Sequence, residues 1–129
     1  MNVTPIYATL LGLLFIALSV RTIRLRRRHR VAVGDGDGDN AELRRAMRVH
    51  ANFAEYIPLA LLLVFFVEMD SAPAVWVHAL CLALLCGRLL HAWGVSQTRE
   101  NFRYRVTGMA LTFGVIAAAG FSILLARAL

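Results

Sequence analysis

The sequence contains no lysine, so its formal net charge of +6 at pH 7 is carried on arginine alone. It also lacks charge of either sign over long stretches. Residues 1–20 contain no Asp, Glu, Lys or Arg, and further uncharged runs cover 56–67, 71–87 and 106–126. At 59% hydrophobic residues in a chain of 129, composition leaves a compact soluble domain open, but the four runs exclude it. A bilayer core takes roughly 20 apolar residues per helix, which the first and fourth runs supply outright. The second and third reach that length when Asn52 and Glu55, or the stretch through Leu90 to Trp93, continue the same helices toward the interface. The first run has no basic segment before it and takes its positive charge after it, so it is expected to be a retained helix rather than a cleaved signal peptide. The two cysteines, Cys81 and Cys86, are five residues apart on one apolar helix. They therefore point about 140° apart, which excludes a disulfide between them and leaves them as small hydrophobes.

So basic a balance in a soluble chain would point to nucleic acid, and the positions of the arginines exclude that partner. Arg21, Arg24, Arg26, Arg27, Arg28 and Arg30 directly follow the first run, whereas the next short loop carries Glu68 and Asp70 and no basic residue. This asymmetry is the positive-inside signal. It turns the segments 21–48 and 99–105 toward the cytoplasm and leaves both termini on the opposite side, as an even number of spans requires. The fold expected is all-α: an integral membrane four-helix bundle forming one domain over 1–129. Its helices are expected at 4–24, 40–67, 73–93 and 103–127, with a flexible cytoplasmic loop at 25–39. No sequence repeat relates the two halves.

Within that loop Asp35, Asp37 and Asp39 alternate with glycines like the start of an EF-hand. The pattern fails at Asn40, where the turn glycine belongs, and at Ala46, where the bidentate glutamate belongs, so no metal is expected. Asp39 and Glu42 have capping-box spacing for the second helix. Pro5 sits near the start of the first helix, where its missing N–H matters least. Pro58, inside the second, frees the Ala54 carbonyl beside Glu55 and predicts a kink. Small residues recur every fourth position in the last two helices: Ala79, Ala83 and Gly87, then Ala110, Gly114 and Ala118. Such stripes let helix backbones approach closely in lipid.

Candidate chemistry concentrates at the start of the second helix. Arg45, Arg48, Asn52 and Glu55 fall within about an 80° sector of one face and form a polar stripe entering the membrane. Ionisable groups at that depth face a bundle interior or a water-filled cavity, which singles out Glu55. The plain structural reading is an ion pair of Glu55 with Arg48 or Arg21 that fixes helix packing. A second basic group, Arg88, His91, Arg99, Arg103, Tyr104 and Arg105, lies at the cytoplasmic end of the last two helices. Arg99 and Arg105 there read most simply as headgroup anchors. Several guanidiniums and one carboxylate around a cleft suit a polyanion that also carries an amine, since Arg pairs bidentately with carboxylates and Glu takes the ammonium.

The run Arg48-x-His50-x-Asn52-x-x-Glu55-Tyr56-x-Pro58 resembles the helix-two signature of the MAPEG family, the membrane-associated proteins in eicosanoid and glutathione metabolism. Gly87-Arg88-Leu-Leu-His91 and Arg99-x-x-x-Arg103 resemble the same family, and length and four-helix layout match over essentially the whole chain. The resemblance implies a bacterial-type member in the inner membrane, a homotrimer binding glutathione between subunits near the cytoplasmic face. Glutathione, with two carboxylates and an α-amine, is the ligand type the charges call for. Carried over, Arg48, Asn52 and Glu55 hold the tripeptide, with Tyr56 and His91 nearby and Arg21 contributing from the first helix. Arg103, or alternatively Arg105, stabilises the thiolate, since an adjacent guanidinium lowers a thiol pKa. Another low-molecular-weight thiol fits the same charges. Val95 stands where eicosanoid-synthesising members have a tyrosine, which removes a hydroxyl that Tyr104 is the candidate to replace.

The leading expectation is a thiol-dependent membrane enzyme that conjugates lipophilic electrophiles or reduces lipid hydroperoxides entering from the bilayer. Val95 favours the second, a family member that binds a thiol or lipid ligand without turnover. The third, a small four-helix transporter, requires a carboxylate in the first helix, which has none.

Overall fold

A computed structural model describes residues 2–34, 40–97 and 101–128. Four helices follow one another: α1 (Thr4–His29), α2 (Ala41–Met69), α3 (Ala74–Ser96) and α4 (Phe102–Ala128). Each is long and apolar enough to cross a membrane, so the chain is an all-helical four-helix membrane bundle. α2 and α3 each touch every other helix, while α1 and α4 flank them without touching one another. The buried seams have heptad-like spacing, as in Phe53, Ile57, Ala60, Val64 and Val67 of α2. α3 answers with Val77, Leu80, Leu84, Arg88, His91 and Val95.

α1 overruns the end expected at residue 24 and carries Arg26, Arg27, Arg28 and His29 as helix, so residues 25–29 of the expected loop are ordered. Arginine is a good helix former, and cations in a last turn meet the negative end of the helix dipole. Leu25 adds tertiary support by burying against Leu43 and Ala46, with Val31 packed beside them. The helix ends in a Schellman motif: the Arg30 amide donates to the Arg27 carbonyl (3.2 Å) and the Val31 amide to the Arg26 carbonyl (3.0 Å). Arg30 adopts φ 55° where glycine is the usual occupant, which costs about 1 kcal/mol. α2 continues unbroken through Pro58. The calcium-like Asp35, Asp37 and Asp39, the Asp39 half of the capping box, and Arg99 lie outside the described residues.

The small-residue stripes meet differently from the expected register. The tight contact between α3 and α4 is at Gly87, Gly94 and Gly108: a Cβ built on Gly108 would lie 2.6 Å from the Gly87 carbonyl oxygen, and one on Gly94 would lie 2.7 Å from the Tyr104 Cβ. Toward the other end the helices diverge, and Ala79, Ala83, Ala110 and Gly114 line an open apolar groove of about 580 Å³. A packed stripe needs both helices in step along its length, and these cross at the glycines instead.

The two acids read as a loop signal serve helix ends. Glu68 accepts from the backbone amides of Val3 and Thr4 (3.0 Å from Thr4), supplying acceptors for N–H groups at the start of α1 that have no partner within the helix. Asp70 accepts from Arg127 at 2.7 Å, tying the end of α4 to the α2–α3 turn.

Candidate functional site

The polar stripe of α2 faces a cleft of about 480 Å³ bounded by three helices. α2 contributes Arg44, Arg45, Arg48, Asn52 and Glu55, α3 contributes His91 and Val95, and α4 contributes Arg105. The volume lies in the range of small-molecule sites. The helical repeat alone aligns the α2 residues; the crossing at Gly87 and Gly108 brings His91 and Arg105 to the opposite wall.

Glu55 is at the midpoint of α2 and is exposed on the single chain, as is Arg48. Seven residues separate them, which puts Arg48 about 10 Å nearer the cytoplasmic end. The cleft therefore has one carboxylate at its deep end and four guanidiniums toward its mouth. Arg45 Nε is buried without a hydrogen-bond partner among the described residues. By the chemistry of its donors the cleft fits a ligand with separated anionic groups and one amine.

Other expected site residues lie elsewhere. Tyr56, one residue past Glu55, turns from the cleft and meets the Phe113 ring edge-on (centroids 5.3 Å, 71°). Arg21 donates to the Ser96 hydroxyl and lines a separate groove between α1 and α2 with Arg24 and Glu42. That position gives no support to an Arg21–Glu55 pair. Arg103 does not line the cleft, and Arg105 does. Two residues on one helix point about 200° apart, so one cleft cannot take both. Tyr104 packs edge-on against Trp93 (4.7 Å, 64°) and contributes no hydroxyl to the cleft. Val95 is buried in the cleft wall, an apolar patch among the guanidiniums.

One residue that the sequence grouped with the basic cluster at the cytoplasmic end of the last two helices was not among the expected ligand-binding residues. Arg88 is 1% exposed, sealed between helices, and donates from Nη1 to Asn52 Oδ1 at 2.9 Å and from Nη2 to the Met109 sulfur at 3.5 Å. Because the guanidinium occupies Asn52 Oδ1, the Asn52 amide NH2 is the group left to meet a ligand. The spacing of Leu84, Arg88, His91 and Val95 is the signal in the sequence: Arg88 shares the inward face of α3. His50, by contrast, is committed to packing, stacked on Phe15 (4.8 Å) and bonded to the Ser19 hydroxyl (2.9 Å).

The model of the MAPEG family matches residues 4–125. Two curated relatives, each described as "Inner membrane protein YecN", from Escherichia coli K12 and Escherichia coli O6:H1, are both 42% identical over 111 residues. The matched stretch covers 86% of this chain and 82% of each relative.

Proposed function

The chain belongs to the MAPEG family, and from that premise we propose that it is a glutathione-dependent membrane protein acting on lipophilic electrophiles or lipid hydroperoxides. The observation that carries the proposal is the cleft itself, lined by one carboxylate at mid-helix depth, four guanidiniums and an asparagine amide. Glutathione, when bound, supplies the thiol nucleophile. Glu55 takes its ammonium group, Arg48 and Arg45 take carboxylates, and Asn52, oriented by Arg88, donates its amide. Arg105, on the facing wall, raises the thiolate fraction at neutral pH through its fixed positive charge. His91 and Val95 close the side of the cleft away from the lipid.

The subunits assemble as a homotrimer, with the site between neighbours. What supports this is exposure: Arg48 and Glu55 open outward from apolar helices, and a charge facing hydrocarbon is unfavourable by several kcal/mol unless a neighbour or water covers it. The location is the inner membrane, as the names of the Escherichia coli relatives state for those proteins. A second reading, binding without turnover, is favoured by Val95, whose side chain gives the cleft wall no hydroxyl.

The test is isothermal titration of glutathione into detergent-purified protein beside Arg48→Ala and Glu55→Gln. Each substitution is expected to weaken binding tenfold or more, about 1.4 kcal/mol. Absence of binding by intact, trimeric wild type defeats the glutathione reading and redirects the search to other low-molecular-weight thiols. Binding without conjugation or peroxide reduction across a panel of electrophiles and hydroperoxides selects the second reading.

A further inference from the structure

An unassigned feature lies on the side of α4 turned away from the cleft: the apolar groove of about 580 Å³ between α3 and α4. Its α4 wall runs from Val106 to Val115, about 14 Å and so about one leaflet deep. Trp76, Ala79 and Ala83 contribute to the α3 wall. The space is open, since a Cβ built on Gly114 meets nothing within 4 Å. At the far end the Trp76 indole N–H donates to the Ser122 hydroxyl oxygen at 3.2 Å, which bridges the two helices again.

Arg103 heads this groove. With Thr107, Ala110 and Gly114 it falls within about a 60° sector of α4, whereas Arg105, which α4 gives to the cleft, points nearly the opposite way. α4 is uncharged over residues 106–126, about the 20 residues that cross a hydrocarbon core, so Arg103 stands at the headgroup level of the cytoplasmic leaflet. Trp93, exposed and edge-on to Tyr104, marks the same level as an interfacial aromatic. The Arg103 guanidinium is exposed and has no partner among the described residues. A neighbouring subunit that covers the cleft between α2 and α4 leaves this opposite face of α4 to the bilayer.

We propose that the α3–α4 groove binds an anionic phospholipid of the cytoplasmic leaflet, with its phosphodiester on Arg103 and one acyl chain along Thr107, Ala110 and Gly114. Charge complementarity selects this occupant. A guanidinium at headgroup depth suits phosphate oxygens, and the positive end of the α4 dipole adds to the attraction. The groove continues from that cation into the hydrocarbon, where the chain of the same molecule must run. A neighbouring apolar helix would fill the groove and leave the guanidinium without a counter-charge. The proposal does not depend on the thiol reading, since groove and cleft share no lining residue.

Native mass spectrometry of the detergent-purified protein tests it, titrating palmitoyl-oleoyl phosphatidylglycerol or phosphatidylcholine, with inorganic phosphate as competitor. Wild type is expected to bind phosphatidylglycerol about fivefold more tightly, the effect of one basic side chain near anionic headgroups. Arg103→Gln is expected to abolish that preference. Gly114→Leu, whose side chain grows into the open groove, is expected to weaken both lipids on the order of threefold by displacing the acyl chain. Neither variant is expected to lower the thermal midpoint, since Arg103 is exposed and Gly114 faces open space. The proposal is overturned by equal retention of the two lipids in wild type, by an unchanged preference in Arg103→Gln, or by unchanged affinity in Gly114→Leu. Displacement of the lipid by millimolar phosphate overturns it in favour of a free-anion site. A changed subunit number in the Gly114→Leu spectra overturns it in favour of a second copy seated in the groove.

Discussion

Replacing Gly108 with alanine should loosen the contact between α3 and α4 on which the cleft depends. The new methyl would stand 2.6 Å from the Gly87 carbonyl oxygen and 2.8 Å from both the amide nitrogen and Cβ of His91. A carbon normally keeps about 3.3 Å from a carbonyl oxygen, so the helices must part by roughly 0.7 Å. Overpacking costs typically 1–3 kcal/mol, and the upper end applies here because two of the three obstacles are backbone atoms that no rotamer change can move. Alanine's helix preference returns about 1 kcal/mol, leaving a net loss of about 2 kcal/mol. Gly114→Ala is the internal control: it lies on the same helix, its Cβ meets nothing within 4 Å, and only the propensity gain of about 1 kcal/mol applies. Thermal unfolding of both variants in one detergent should separate them by about 3 kcal/mol in opposite directions from wild type. Gly108→Ala should also weaken ligand binding, because the strain falls on the backbone of a cleft residue. Equal midpoints for the two alanine variants would refute the close approach and the helix register built on it.

Two other substitutions probe the polar groups that the bundle encloses. Asn52→Leu leaves the sealed Arg88 guanidinium without its 2.9 Å acceptor and should cost about 1.5–3 kcal/mol. Adding Arg88→Met removes the stranded charge and should recover much of that loss, so a double-mutant cycle showing simple additivity would contradict the pairing. Glu68→Ala removes the acceptors for the Val3 and Thr4 amides and should cost about 1 kcal/mol, with faster hydrogen exchange confined to the first turn of α1. Unchanged exchange there would mean that Glu68 does not cap the helix.

The number of spans was legible because it is a local property: an uncharged run of about 20 residues has few options other than crossing a bilayer. The stripe of Arg45, Arg48, Asn52 and Glu55 was legible for the same reason, since one rigid helix fixes the angles among its own residues. The continuation of α1 through its arginines was missed because a like-charge run beside glycines reads as solvated loop. The contact of Leu25 with Leu43 and Ala46 that supports those turns crosses between helices.

By itself, then, the sequence determined four apolar helices, their bias toward arginine on one side and a polar face on the second helix, all consequences of composition and helical period. Only the tertiary structure decided which residues on other helices share the cleft with that face. The rotational setting of α3 and α4 is fixed by the meeting of Gly87, Gly94 and Gly108 with their neighbours, and no spacing within one helix encodes it. That setting turns Arg105 rather than Arg103 to the cleft and Tyr56 toward Phe113. It also closes Arg88 into the interior, where its guanidinium holds Asn52 instead of reaching the membrane surface.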